Sequence, residues 1–351
     1  MCRARGRLYA RIAKIVKRER TKTMTGDATA LNTKALVVLV ILGGLFGSAF
    51  LYMKVLVDEI APIEIVAGRL SLGALLVFVI IAMRGKTLRF HPATIGKISL
   101  LALLDSVIPF TLIAWSETKI DSGVASVLVS TMPVFTVVIA TIALPDERLA
   151  PVRLFGIPLG FLGVVTLTGG DVLDVTSGNA VGQLAVVAAA ACYGAASVYA
   201  KILLRTQDAL SLTGIKLAAG AAIAAAATAI TQGVPAYGAL SVEGVLALLA
   251  LGLLSTALAF ILYFWLVRTA GSVYASLVTY IVPVFGLLLG WGILGEEIGS
   301  NTAFGAVLIT AGVGAVMYGS VAQTWLAHRL SQLRGPSLTE TPGLIEKEKY
   351  A

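Results

Sequence analysis

The sequence predicts an all-α integral membrane protein with ten transmembrane helices, arranged as two inverted five-helix repeats, and three observations carry that reading. The first is composition: 58% of residues are hydrophobic and only 13% charged, with a mean hydropathy of +0.91, against roughly 25% charged in an average soluble domain. The second is internal repetition. At an offset of 150, Phe110 to Glu147 matches Phe260 to Glu297 at 11 of 38 positions. The matches include Trp115 with Trp265, Ser122 with Ser272, Ala125-Ser126 with Ala275-Ser276, Pro133-Val134-Phe135 with Pro283-Val284-Phe285, and Glu147 with Glu297. Chance agreement between apolar segments would favour Leu, Val and Ala, so shared Trp, Pro and Glu point to duplication. The third is the placement of Lys and Arg, taken up below.

Spans of about 20 apolar residues fall at 35–57, 63–83, 98–116, 122–144, 152–170, 181–203, 211–231, 243–267, 272–294 and 302–322. The Ala-rich run at 217–229 is the weakest, because alanine contributes little transfer free energy. A second pairing, at an offset of 147, carries the duplication toward the N-terminus: Gly47 with Gly194, Tyr52 with Tyr199, Lys54 with Lys201, Arg69 with Lys216, Leu70 with Leu217 and Gly73 with Gly220. The predicted organisation is a basic N-terminal segment (1–34), a first repeat (35–170), a second repeat (181–322) and a C-terminal tail (323–351). With the N-terminus inside, 23 basic residues fall in cytoplasmic segments and only Lys119 outside, with Lys54, Arg69 and Lys216 in the spans. That bias places both termini in the cytoplasm. Five helices per repeat then make the second repeat enter the membrane from the opposite face.

The N-terminal segment allows two readings. Residues 3–22 carry nine basic side chains, with Leu8, Ile12, Ile15 and Val16 at helical spacing, which suits a helix on an anionic membrane surface. Alternatively Met24 is the start, and the net charge falls from +8 to 0, so the basic balance is no argument for a nucleic-acid partner. Cys2 and Cys192 form no disulfide framework. His91 and His328 stand well apart, so no metal site or cofactor is expected.

Asp105 is the sharpest candidate for binding or coupling. A carboxylate in mid-span costs several kcal/mol unless it faces protein or water. Pro109, four residues on, lacks the N–H that would bond the Asp105 carbonyl, so Asp105 and Ser106 form a polar, loosened patch. The competing reading has Asp105 either protonated or paired with Arg69, for packing alone. The second-repeat equivalent is Ser255. Pro133 and Pro283 occupy matching depths and free the carbonyls of Val129 and Thr279, giving paired hinges or plain kinks. Beside them Ser130, Thr131, Thr279 and Tyr280 could line a cavity. Gly43, Gly44 and Gly47, with Gly286, Gly290, Gly292, Gly305, Gly312 and Gly314, read as close-packing positions. Trp115 and Trp265 read as interfacial belt or as gates. Glu147 and Glu297 read as cap and loop residues, and Lys54 and Lys201 as snorkelling side chains.

Together these phrases resemble the EamA-domain transporters of the drug/metabolite transporter superfamily. The resemblance runs from about 35 to 320: Gly47 to Lys54, then Arg69-Leu70, Ser122-Gly123-Val124-Ala125-Ser126, Pro133-Val134-Phe135 and Glu147-Arg148-Leu149, with a second copy from Ser272 through Pro283 to Glu297. It implies export of amino acids or other small metabolites across a bacterial inner membrane, through a central cavity lined mainly by the first, third, fourth, sixth, eighth and ninth helices. Asp105 lies outside these phrases, and its role rests on the physical argument alone. The expected partners are a small solute, the lipid bilayer and protons; the oligomeric state is not legible. A membrane enzyme is disfavoured, since GxSxG, HExxH and a membrane-depth His are absent. GxxxxGK[ST] is absent too, so the expected drive is a proton or solute gradient. A nucleotide-sugar or lipid-linked carrier of the same superfamily would need more cavity charge than Lys54, Arg69 and Lys216 supply. A scaffold without transport would have no use for paired kinks and a mid-span Asp.

Overall fold

In hydrocarbon every backbone N–H and C=O must be satisfied within the segment, and an apolar sequence of this kind therefore folds into helices. A computed structural model describes residues 28–85, 92–143, 151–168, 178–203, 208–270, 278–312 and 314–315, and among them every regular element is helical. The helices are α1 (Ala28–Val57), α2 (Pro62–Met83) and α3, which runs as Pro92–Ala102, a π-helical turn Leu103–Val107, and Ile108–Glu117. Next come α4 (Ser122–Val129 and Met132–Ala143), α5 (Pro151–Thr168), α6 (Gly178–Leu203) and α7 (Ala209–Thr231). Last come α8 (Val242–Leu249, π-helical Ala250–Leu258, Ala259–Ala270), α9 (Val278–Leu294) and α10 (300–312). Among the described residues, six stretches are long and apolar enough to cross a membrane: Lys34–Val57, Pro62–Met83, Thr94–Glu117, Asn179–Ala200, Ala209–Thr231 and Val242–Tyr263. Shorter apolar helices occur at Ser122–Thr136, Pro158–Leu167 and Val278–Leu294. The chain is thus a multi-pass membrane protein. Residues 1–27, the whole C-terminal tail and the segments holding Glu147 and Ser272 lie outside the described residues.

Local chemistry starts the helices where expected. Pro62 opens α2, and the Glu64 carboxylate accepts from the Ala61 amide at 2.8 Å. Asp208 caps α7 through the Ser211 amide (3.1 Å), and Ser241 caps α8 through Gly244 (3.0 Å).

Small residues decide which helices touch. A Cβ on Gly47 in α1 would lie 2.6 Å from Phe285 Cβ in α9, and one on Gly194 in α6 would lie 2.9 Å from Phe135 Cβ in α4. Likewise Gly73 in α2 faces Leu217 in α7 at 3.5 Å, and Gly220 in α7 faces Leu70 in α2 at 3.1 Å. Gly163 in α5 and Gly305 in α10 each meet the other's carbonyl, at 3.0 and 2.9 Å. Gly43, Gly286, Gly290 and Gly312 also sit in close contacts, whereas Gly292 faces open space. The core around α1 buries Leu42, Met53 and Leu56 with Leu128, Leu251 and Leu266. Leu75, Phe161, Leu162, Leu184 and Leu288 point outward, as side chains facing acyl chains should.

The broken helices refine the expectation about prolines. α4 stops at Val129, turns through Ser130 and Thr131, and resumes at Met132, with Pro133 in the first turn of the new segment. In α9, Pro283 lies inside an unbroken helix. The loosening in α3 is a π turn, in which the Ile108 amide bonds the Leu103 carbonyl. α8 carries a π segment at the matching place with no proline beside it, so Pro109 is not required to make one.

Candidate substrate site at the centre of the bundle

Two buried cations face each other's halves of the chain. Arg69 on α2 is 3% exposed and Lys216 on α7 is 2% exposed. The Arg69 guanidinium lies over the Phe110 ring at 3.7 Å, and the Lys216 ammonium over the Phe260 ring at 3.8 Å. Each ring is braced edge-on by a third: Tyr193 of α6 on Phe110 (6.2 Å between centroids) and Phe46 of α1 on Phe260 (6.0 Å). These residues correspond at the two repeat offsets: Arg69 with Lys216, Phe110 with Phe260, Phe46 with Tyr193.

Each cation also reaches a polar group in the π-helical segment of the other half. Arg69 donates to Thr256 Oγ1 through Nε (3.2 Å) and Nη2 (3.1 Å), and to Met53 Sδ at 3.5 Å. Lys216 makes an ion pair with Asp105. The π turn matters here, because a ladder stepping back five residues turns these side chains off the ordinary helical face, a distortion frequent at functional sites. Thr256 Oγ1 itself donates to the Leu251 carbonyl, five residues back, at 2.8 Å.

Asp105 is therefore paired, as the packing alternative required, but with Lys216 and not with Arg69. Arg69 stacks on Phe110 and bonds Thr256 instead. The side chain of Asp105 remains 25% exposed, while Ser106 beside it is fully buried, its hydroxyl without a hydrogen-bond partner. Ser255 faces Ser48 of α1 at 3.3 Å between hydroxyls.

A second polar contact crosses between α4 and α9. Pro283 frees the Thr279 carbonyl, and the Ser130 hydroxyl donates to that carbonyl at 3.3 Å, as well as to the Ser126 carbonyl. The break in α4 presents Ser130 to α9. Thr131 instead turns back on the Leu128 carbonyl (2.8 Å), and Tyr280 lies half-buried on α9. Trp115 sits at the end of α3 beneath Lys119 Nζ, 5.1 Å from the ring centre; Trp265 is exposed on the last turns of α8.

At the end of the bundle where α1, α3 and α9 finish, two expectations change. Lys54 does not snorkel: its ammonium donates to the carbonyls of Glu117 (2.6 Å) and Ile120 (3.1 Å), closing the C-terminus of α3. The helix-capping carboxylate is Glu296 and not its neighbour Glu297, which is exposed. Glu296 accepts from the amides of Ser122 (2.7 Å) and Gly123 (2.9 Å) at the N-terminus of α4. Glu59, between α1 and α2, accepts from the Ser241 amide (2.7 Å) and hydroxyl (2.6 Å), and Glu64 accepts from Ala236 (2.9 Å). These groups tie the first half of the chain to the second.

The sequence pattern of the EamA-like transporter family matches residues 33–169 and again 180–318. The chain belongs to this family. Its EamA relatives include the uncharacterized transporter YoaV of Bacillus subtilis, 30% identical over 77% of this chain and 91% of that one. The uncharacterized inner membrane transporter YedA of Escherichia coli K12 is 26% identical over 76% of this chain and 88% of that one. A chain of known crystal structure shares the EamA fold, with a TM-score of 0.60 and 22% identity over 84% of this chain and 99% of that one. Sequence reading missed Phe46, Phe110, Tyr193, Thr256, Phe260 and Glu296 as site residues. The signal was present for the rings: the Phe110 and Phe260 pair opens the matched run, and Arg69 with Lys216 stands in the other.

Proposed function

We propose that this EamA protein is a secondary transporter that moves small organic metabolites by alternating access, exporting amino acids or related compounds across the inner membrane. The observation that supports it best is the reciprocal pair of cation, ring and π-helical partner: Arg69 with Phe110 and Thr256, Lys216 with Phe260 and Asp105. The Arg69–Thr256 and Lys216–Asp105 ties each join one half of the chain to the other, and a site made from both halves is opened and closed by moving one against the other. Ten spans in two inverted repeats, with both termini cytoplasmic, account for the reciprocal glycine contacts between α2 and α7. They account also for those linking α1 to α9 and α6 to α4. Asp105, Ser106, Ser130, Thr131, Thr279 and Tyr280 contribute polar groups to the path, and Pro109, Pro133 and Pro283 serve as hinges in α3, α4 and α9.

A zwitterionic solute suits this centre: its carboxylate offers Arg69 the ionic partner that Thr256 is not, and its amino group competes with Lys216 for Asp105. A second reading is favoured by the same two cations, of which only Lys216 is ion-paired with Asp105; a phosphorylated carrier substrate would use both. Counterflow in proteoliposomes, with labelled amino acids and nucleotide sugars at two external pH values, separates the readings. Saturable exchange of amino acids is expected. Exchange of nucleotide sugars alone would move the assignment to the second reading, and no exchange of any solute by folded protein would overturn both.

A further inference from the structure

One buried acid has no place in the central site. Glu117 ends α3 fully buried, and neither carboxylate oxygen has a hydrogen-bond partner. A carboxylate ion without donors in an apolar surrounding is far more costly than the neutral acid, so in this arrangement the side chain holds a proton.

Among the described residues, the charged groups around it are few. Lys54 comes from α1, Arg69 from α2 and Glu296 from the segment after α9, with Asp121 and Lys119 on the turn that follows Glu117. α4 and the facing stretch of α6 (residues 179–190) carry no titratable residue. The Lys54 ammonium is committed to the carbonyls of Glu117 and Ile120, and Arg69 to Thr256. Glu296, whose charge reaches Glu117, is held by the Ser122 and Gly123 amides. A second negative charge at Glu117 would repel it.

We propose that Glu117 is a proton-binding site that couples protonation to closure of this end of the bundle. The closed form, with Glu296 seated on the start of α4 and Lys54 on the end of α3, binds the proton. When Glu296 leaves the Ser122 and Gly123 amides, water reaches Glu117, the O–H bond breaks, the proton leaves to the adjoining aqueous phase, and the carboxylate pairs with Lys54. By linkage, a proton that binds the closed form more tightly favours closure to the same degree. The inference uses the transporter reading only for what closure accomplishes.

The test uses full-length protein reconstituted in liposomes, with protons as the probe. Infrared difference spectra across a pH titration should show a protonated carboxyl band at neutral pH in wild type that is missing in Glu117→Gln. Hydrogen exchange at the Ser122 and Gly123 amides should rise with pH beyond the chemical rate in wild type, by about tenfold for each unit by which opening lowers the proton affinity. In Glu117→Gln, which mimics the neutral acid, that excess should vanish. A Glu117 that is ionised at neutral pH in wild type overturns the proposal, and this readout needs no variant to fold. Equal excess exchange in wild type and variant overturns it too. Counterflow separates the two readings: a solute exchanged by both proteins but accumulated against a pH gradient only by wild type supports both. Absence of counterflow in wild type, with the infrared and exchange results intact, would remove the transporter reading and leave the proton site standing.

Discussion

At the Lys216–Asp105 pair, two full charges sit where water is scarce, and each is tolerable only because of the other. Removing one partner of a buried pair costs about 3–5 kcal/mol, since the remaining charge is left uncompensated. Asp105→Asn should therefore lower thermal stability in detergent by roughly that amount and abolish exchange, while Asp105→Asn combined with Lys216→Met should regain most of the stability and none of the exchange. Transport by the double variant at the wild-type rate would show the pair to be packing alone. Thr256 offers a milder change. Thr256→Val keeps the volume but leaves two guanidinium N–H groups without an acceptor, a loss of about 1.5–3 kcal/mol for bonds to a charged group. Urea or thermal unfolding of the variant measures it. Both residues were visible as letters in the sequence. Their partners were not, because a helix that steps back five residues shows nothing in the periodicity of its apolar positions.

For the helices, packing is governed by where a side chain is missing. Gly47 holds α1 against α9 with space for a hydrogen and no more, since a Cβ would lie 2.6 Å from Phe285 Cβ. Gly47→Val should destabilise the fold by about 1–3 kcal/mol through overpacking. Gly96 in α3 is the contrast: a Cβ there meets nothing within 4 Å, so Gly96→Ala should stabilise by about 0.5–1 kcal/mol through helix propensity. Thermal unfolding of the two variants side by side tests the sign in each case. The spacing Gly43, Gly44, Gly47 announced a close-packed face in the sequence, and it is one. Which helix would fill it was beyond reach of any local pattern, because α9 begins more than two hundred residues further on.

Over the molecule as a whole, the two halves are joined at one end by carboxylates that accept backbone amides across the divide. Glu59 illustrates the pH consequence. The Ser241 hydroxyl and amide hold its carboxyl below the ordinary value of 4.5. A lowered folded-state pKa gives stability that is present above the unfolded value and is lost as pH falls through the folded one. Glu59→Gln should accordingly lower the unfolding temperature at pH 7, with the difference from wild type shrinking below about pH 4.5. A difference that stays constant down to pH 3 would show that Glu59 acts by packing and not by charge. Asp121, at the same end, has its carboxyl raised by burial and by the neighbouring Glu296. Its contribution has the opposite sign, favouring the folded state as pH falls, so the Glu59 effect is best read as a difference between variants.

Composition was enough to establish a helical membrane protein, because a bilayer demands long apolar helices, and the matched phrases from Gly47 to Glu147 and from Ser272 to Glu297 carried the resemblance to the EamA family. Those properties are local or periodic, and one chain displays them without folding. The pairing of Lys216 with Asp105 and of Arg69 with Thr256 depends on contacts spanning 111 and 187 residues. So does the seat of Glu296 on α4, 174 residues away from Ser122. Such partners are chosen by how α2 meets α7 and how α9 meets α4, and Glu117, unremarkable at the end of a span, becomes a stranded acid only once those helices close over it.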